Sequence, residues 1–192
     1  MPTIDYDSFQ KRLVSGLRAA WQKVRAQRPS ETFYMFGVET DSDATVLTPF
    51  CNTEEQFAAE HGTPEYPIEK WAVDQDSQLY GAGAEHTAEL QQEVNQFVMA
   101  DGQFVFVKQS DPGYAERKAR LMQIFERALA ELDAEGFFGR GDERRKVALS
   151  VEIVDADEDE WNTMIEIMKR LNPPESIEPL LRLLEAQEAE EE

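Results

Sequence analysis

The residues with the clearest ligand spacing are four carboxylates in the last quarter of the chain. Asp155, Asp157 and Asp159 alternate along the sequence, and Glu166 stands at the twelfth position counted from Asp155. Calcium loops use oxygen ligands at positions 1, 3, 5 and 12, because alternate side chains of a tight loop converge on one ion. The sixth position, which needs glycine for the sharp turn of such a loop, is Glu160. These four residues are a metal candidate that lacks one essential feature.

The same acids also suit the beginning of a helix. Trp161, Ile165 and Met168 recur at helical spacing directly after them. A helix dipole favours negative charge at its N-terminus, and the segment follows a predicted strand rather than a helix. We therefore expect several of these acids to cap and flank the helix, and we expect no high-affinity calcium site. Binding of a divalent cation by these acids is nevertheless kept as one functional hypothesis.

A second candidate is the basic, glycine-rich segment 136–146, with the sequence GFFGRGDERRK. Its candidate anion-binding residues are Arg140, Arg144, Arg145 and Lys146. Backbone N–H groups of such a loop and the forked guanidinium groups of arginine can hold an anion. The segment lacks the spacing of a P-loop or a dinucleotide fingerprint. The alternative is a turn between helix and strand, whose glycines take positive φ angles and whose basic side chains pair with nearby acids.

Residues for nucleophilic catalysis are few. Cys51 is the one cysteine, so the chain cannot form an internal disulfide. Neither histidine stands at a sequence spacing from Cys51 that is typical of a catalytic Cys-His pair. His61 and His86 belong to no metal-binding or catalytic histidine pattern. We expect Cys51 to be a small core residue. The sequence thus predicts no catalytic residue and no cofactor.

Net charge is the strongest global property of the chain. The 39 acidic and 19 basic residues give a net charge of −20, which repels phosphate backbones and anionic lipid surfaces. We expect neither a nucleic-acid partner nor a membrane partner. Residues 31–103 hold one basic and fifteen acidic residues, whereas residues 1–30 hold six basic and two acidic residues. An acidic face results if these segments stay apart in the fold, and it disappears if they intermix.

The elements that position these residues are predicted from hydrophobic spacing and turn residues. The patterns indicate helices over 5–28, 53–62 and 111–136, around Trp161 to Met168, and from about Ser176, with strands at 32–39, 44–50 and 147–154. The first two strands form a hairpin. For residues 85–102 the sequence leaves open a helix ending near Gly102 or a hairpin with its turn at Asp101 and Gly102.

The resulting fold class is α+β (mixed α/β), with a small, mostly antiparallel sheet covered by several amphipathic helices. We expect a single domain over residues 1–187 and an acidic, frayed tail over 188–192.

Three segments resemble a bacterial family, domain of unknown function 4303. They are ETFYMFGVETDSDATVLTPFCNTEE at 31–55, LDAEGFFGRGDERRKVALSVEIVDADE at 132–158 and KRLNPPE at 169–175. The resemblance implies a single α/β domain of the bacterial cytoplasm. It transfers no activity and no catalytic residue, and residues 75–111 match it poorly.

The sequence is therefore consistent with three functions. The first is a non-catalytic acidic module that binds a partner protein with a basic surface, as immunity-type proteins bind a toxin; this comparison is an analogy. The second is a small-molecule or anion-binding protein, or an enzyme, that uses loop 136–146. The third is a divalent-cation binder. The lack of a signal sequence predicts a cytoplasmic location, and homo-oligomer formation is left open.

Overall fold

A computed structural model of the chain describes residues 4–62, 70–71, 75, 77–96, 99–100, 103–104 and 113–191. The helices in this part of the chain are α1 (Tyr6–Gln27), α2 (Glu54–His61), α3 (Ala88–Asn95), α4 (Tyr114–Ala134), α5 (Glu158–Leu171) and α6 (Pro174–Glu191). The strands are β1 (Phe33–Asp41), β2 (Thr48–Thr53), β3 (Met99–Ala100), β4 (Gln103–Phe104) and β5 (Ala148–Val154). The predicted α+β class is confirmed.

The main sheet has three strands in the order β2-β1-β5. β1 and β2 pair antiparallel, which confirms the hairpin. β1 and β5 pair parallel, a pairing that the sequence did not predict, so the main sheet is mixed. Parallel neighbours need a crossover connection, and α4 lies in the chain between them. This parallel pair brings the carboxyl ends of β1 and β5 to the same edge of the sheet.

One face of the sheet forms the main core with α1 and α4. This core includes Phe36, Val38, Leu149 and Val151 from the strands, and Leu13, Leu17, Phe125 and Leu129 from the helices. On the other face, Ala148 packs with Ile165 and Met168 of α5 and with Ile177 and Leu180 of α6. Because side chains alternate along a strand, this second face also carries Gly37, Glu39, Ser150 and Glu152.

The outer edge of β5 is covered by α5. The side-chain amide of Asn172 accepts from the backbone N–H of Leu149 at 2.7 Å and donates to the Leu149 carbonyl at 2.7 Å. The N–H of Ile153 points at the sulfur of Met164, 3.2 Å away. These contacts satisfy backbone groups that an edge strand would otherwise leave unpaired. They also hold the N-terminus of α5 at the carboxyl end of β5.

Several sequence expectations are resolved by the fold. For residues 85–102 the hairpin alternative is confirmed, since β3 and β4 pair antiparallel with Ala100 opposite Gln103. A helix precedes them, but α3 ends at Asn95 rather than near Gly102. The predicted helix start at Asp111 and Pro112 lies outside the described residues. The domain boundary at residue 187 stays a prediction; α6 continues past it to Glu191.

Candidate functional site

Seven carboxylates gather where the parallel strands β1 and β5 end. Asp41 is the last residue of β1 and lies opposite Val154, the last residue of β5. The loop after β1 and the start of α5 contribute the others, and we call the whole set the acidic end: Asp41, Asp43, Asp155, Asp157, Glu158, Asp159 and Glu160. Its members come from two acidic segments that are far apart in the chain and meet only because β1 and β5 pair.

Local hydrogen bonds explain why both loops take these positions. Asp157 caps α5 by accepting from the N–H of Glu160 at 2.9 Å, and Glu160 reciprocates by accepting from the N–H of Asp157 at 3.3 Å. This capping box confirms that the acids flank a helix N-terminus. In the other loop, Asp41 accepts from the N–H groups of Thr45 and Val46.

Some carboxylates of the acidic end are already neutralised within the chain. Glu160 accepts from the ammonium of Lys118 at 2.7 Å and from the hydroxyl of Ser42 at 2.8 Å. Burial raises the pKa of Glu160, but these bonds outweigh it and hold that pKa below its ordinary value. Asp155, Glu158 and Asp159 are exposed and form no ion pair with any residue that the structure describes. Three charges are therefore left for an external cation.

A cavity of about 380 Å³ opens at the acidic end. Among the described residues, its polar lining residues include Gln75, Glu152 and Asp155, and its apolar lining residues include Trp161 and Met164. We call it the carboxyl-end cavity. A carboxyl group beside an aromatic ring is a combination that favours an organic cation, because both attract positive charge.

Behind this cavity, Glu39 of β1 and Glu152 of β5 lie opposite each other on the second face of the sheet. Their exposed fractions are 1% and 4%. Glu39 accepts from the hydroxyl of Tyr80 at 2.7 Å and from the amide of Gln75 at 3.2 Å, and Glu152 accepts from the hydroxyl of Ser150. The second carboxyl oxygen of Glu39 has no hydrogen-bond partner among the residues that the structure describes.

No lysine or arginine of the described chain neutralises this buried pair. Burial raises the pKa of both groups; for Glu152 it rises to about 7, with a smaller contribution from the charge of Glu39. The pair therefore retains a proton near neutral pH. Sequence reasoning missed it because 39 acidic residues offer too many chance pairings. The one available signal was a glutamate inside each of two apolar strands.

The predicted metal candidate does not assemble. Asp157 is committed to the helix cap, and Glu166 lies further along α5, where its carboxylate pairs with Lys169 at 2.9 Å. Within the described residues, no group of three or more His, Cys, Asp or Glu side chains is placed to hold a metal ion. The reason is local: a helix begins where a calcium loop would have to curl around its ion.

The four candidate anion-binding residues of segment 136–146 also do not come together in the fold. Arg144 is buried and donates to Asp133, to the carbonyls of Val147 and Leu171 and to Asn172, so it stabilises the junction of α4, β5 and α5. The other three candidate cations each find a separate neighbour. Arg140 donates to the carbonyl of Glu135, Arg145 pairs with Asp142 and Lys146 pairs with Glu143.

The glycines of this loop behave as the alternative predicted. Gly136, Gly139 and Gly141 have φ angles of 77°, 99° and 56°. These angles lie in the left-handed region of backbone conformation, which residues other than glycine adopt only at a cost in free energy. The segment is therefore a turn between α4 and β5, and its four basic residues do not converge on one anion.

A groove of about 530 Å³ lies beside the same turn. Its lining residues include the aromatic residues Trp21, Phe33, Phe137 and Phe138 and the charged residues Arg25, Glu31, Glu143 and Lys146. The guanidinium of Arg25 lies 5.3 Å from the centre of the Phe33 ring, and among the described residues it has no ion-pair partner. Of the four predicted cations, Lys146 lines this groove; Arg25 was not predicted.

Basic and acidic segments that are separate in the sequence lie side by side in part of the fold. Arg12 and Arg18 of α1 pair with Glu93 at 2.5 Å and with Glu135 at 2.6 Å, and Lys23 pairs with Glu85. The basic first segment thus neutralises part of segment 31–103, as the intermixing alternative predicted. From segment 31–103, Asp41 and Asp43 contribute to the acidic end, whose other members come from residues 155–160.

The fold gives Cys51, His61 and His86 no arrangement typical of nucleophilic catalysis. Cys51 is buried on β2, and burial raises the pKa of its thiol to about 12, so the reactive thiolate is suppressed. His61 packs its ring on Phe57 with 4.8 Å between ring centres. His86 lies beside Glu85, with 3.5 Å between its Nε2 and the carboxylate.

Comparisons with known proteins place the chain in one family. No helix among the described residues is both long and apolar enough to cross a bilayer. No curated protein and no solved structure matched the chain. The model of a family described as a domain of unknown function, DUF4303, matches residues 13–173. Since that match covers most of the sequence, the chain belongs to the domain of unknown function family DUF4303.

Proposed function

We propose that this protein is a non-catalytic acidic module of the bacterial cytoplasm that binds the basic surface of a partner protein through its acidic end. Immunity-type proteins that bind a toxin are the nearest functional analogy. The observation that carries the proposal is the exposed set Asp155, Glu158 and Asp159, which has no ion pair within the described part of the chain, next to a cavity lined by Asp155 and the buried Glu152. We propose no nucleic-acid partner and no membrane partner, because the net charge of −20 repels phosphate backbones and anionic lipid surfaces.

The charge arrangement favours a protein partner for two reasons. Exposed carboxylates that form no ion pair with a described residue produce a local negative field, which raises the rate of encounter with a basic surface and is screened by salt. The cavity then offers an indented point of attachment with both a charged and an aromatic wall. Central, indented positions of this kind are where a few side chains supply most of the energy of an interface.

The test compares two variants that lose the same charge. The acidic-end variant carries Asp155→Asn, Glu158→Gln and Asp159→Asn. The control variant carries Glu89→Gln, Glu131→Gln and Glu185→Gln, three exposed acids on α3, α4 and α6. Proteins captured from the source cell by the unaltered chain are identified, purified and measured for association rate at low and high salt.

The proposal expects a partner with a basic surface that is lost with the acidic-end variant and retained by the control variant. Its association should slow as salt is added. A partner retained equally by both variants would contradict the proposal. So would recovery of small metabolites alone, with turnover of one of them.

A second function is favoured by the groove beside the turn at 136–146. Its aromatic lining residues and the guanidinium of Arg25, which has no ion-pair partner among the described residues, suit a small aromatic anion, because apolar contact and a charge-assisted bond can act together. Calorimetric titration with benzoate and with phenyl phosphate tests this. Binding that is lost in Arg25→Ala and kept in Arg145→Ala supports a small-molecule role, and no heat with either anion removes it.

Divalent-cation binding has no assembled ligand set in its favour among the described residues. We expect calorimetric titration with calcium to show no micromolar affinity, because Asp157 is committed to its helix cap and Glu166 to Lys169. Micromolar binding that disappears in Asp155→Ala would promote this function above the other two.

A further inference from the structure

We propose that the carboxyl-end cavity is a socket for a lysine or arginine side chain of the partner, and that the incoming cation displaces a proton held by Glu39 and Glu152. This inference rests on the proposed function, to which it adds the ligand group and its coupling to pH. It identifies Glu152 as the residue that contacts the cation, with Glu39 acting through it.

The first step of the argument is the missing countercharge. A buried carboxylate without a paired cation is costly, so such groups keep a proton instead. Glu39 and Glu152 lie opposite each other on adjacent strands, and both are nearly inaccessible. One oxygen of Glu39 lacks a hydrogen-bond partner in the described part of the chain. The donors that the described residues supply, which are Tyr80, Gln75 and Ser150, are all neutral. Among the described residues, no cation balances the charge that this pair carries once it ionises.

The second step is the shape of the opening. Glu152 lines the carboxyl-end cavity directly, and Gln75 connects the cavity to Glu39 through its hydrogen bond. Trp161 and Met164 supply an apolar wall along which the methylene stem of a long cationic side chain can pack. Asp155 supplies a second carboxylate, and it has no ion pair of its own among the described residues.

The third step is the proton balance. The neutral carboxyl group of the pair and a cationic side chain give a carboxylate–cation pair, and one proton leaves to solvent. The other titratable group that contacts the pair does not supply that proton: burial and the bond to Glu39 raise the pKa of Tyr80 to about 12, so its phenol stays protonated. Binding should therefore strengthen about tenfold per pH unit while the pair is protonated, and level off once it is ionised.

The experiment titrates the full chain with n-butylammonium and n-propylguanidinium ions, with n-pentanol as an uncharged control. The signal is the indole N–H resonance of Trp161, followed at several pH values by nuclear magnetic resonance. We expect saturable shifts with both cations, no shift with pentanol, and a dissociation constant that falls about tenfold per pH unit up to about pH 7. Glu152→Gln should abolish this pH dependence and weaken binding at least tenfold. Glu185→Gln, which removes one exposed charge from α6, should change neither.

Lack of a saturable shift at Trp161, or an affinity independent of pH in the unaltered chain, would overturn the inference. If Glu152→Gln does not fold, the pH series of the unaltered chain decides. The small cations need no partner, so the two proposals fail separately. Partner binding through the acidic end without a response at Trp161 refutes the socket alone. A response at Trp161 without any basic partner in the capture experiment refutes the proposed function alone.

Discussion

Replacing Glu152 by glutamine tests the buried carboxyl pair through stability, without any ligand. In the folded protein, burial raises the pKa of Glu152 from 4.5 to about 7. In the unfolded chain the same group is exposed and ionises near its ordinary value. Between these two pH values the folded state therefore holds a proton that the unfolded state has released.

The sign and size of the effect follow from this difference. Stability contributed by the protonated group is fully present below about pH 4.5 and is lost as the pH rises through about 7. One pKa unit corresponds to about 1.4 kcal/mol, so the loss amounts to roughly 3 kcal/mol. The glutamine side chain of the Glu152→Gln variant cannot ionise, so the variant is spared this loss. The pKa of Glu39 is also raised by burial; because Glu39 is present in both proteins, the difference between them chiefly reports Glu152.

The assay is urea unfolding followed by tryptophan fluorescence, carried out on both proteins at a series of pH values from about 4 to 8. We expect the free energy of unfolding of Glu152→Gln, relative to the unaltered chain, to rise by up to about 3 kcal/mol across that range. The control, Glu185→Gln, should stay within about 0.5 kcal/mol of the unaltered chain. A difference that is flat with pH, or that falls, would refute the buried, uncompensated carboxyl pair.

Three further predictions concern the buried residues Arg144, Gly37 and Cys51. Arg144→Ala should cost about 3–5 kcal/mol of unfolding free energy in urea, because it leaves a buried network without its cation, whereas Arg145→Ala at the exposed surface should change little. Equal effects of the two would contradict the structural role of Arg144. Gly37→Ala places a Cβ 2.2 Å from the carbonyl oxygen of Ser150, so the variant should lose its cooperative thermal transition in circular dichroism; an unchanged transition would mean that this close approach is wrong. Cys51 should resist a thiol-specific disulfide reagent in the native protein and react fully in denaturant, since burial raises its thiol pKa to about 12; rapid native labelling would show the opposite.

Residues close together in the chain were predictable because their contacts are local. The start of α5 at the acids 157–160 follows from a side chain that reaches an N–H three residues ahead, and that geometry needs no tertiary partner. The hairpin of β1 and β2 follows from two apolar runs around a polar turn. The positive φ angles at Gly136, Gly139 and Gly141 follow from the freedom of glycine.

The candidate site itself was decided only by tertiary structure. Pairing β1 with β5, rather than any local pattern, sets Glu39 opposite Glu152 and brings two distant acidic loops to one edge. Packing of α5 against β5 buries Arg144, which the sequence presents as one basic residue among four. Residue types fix which charges exist, but burial and strand register decide which of them are neutralised, because both depend on neighbours that are remote in sequence.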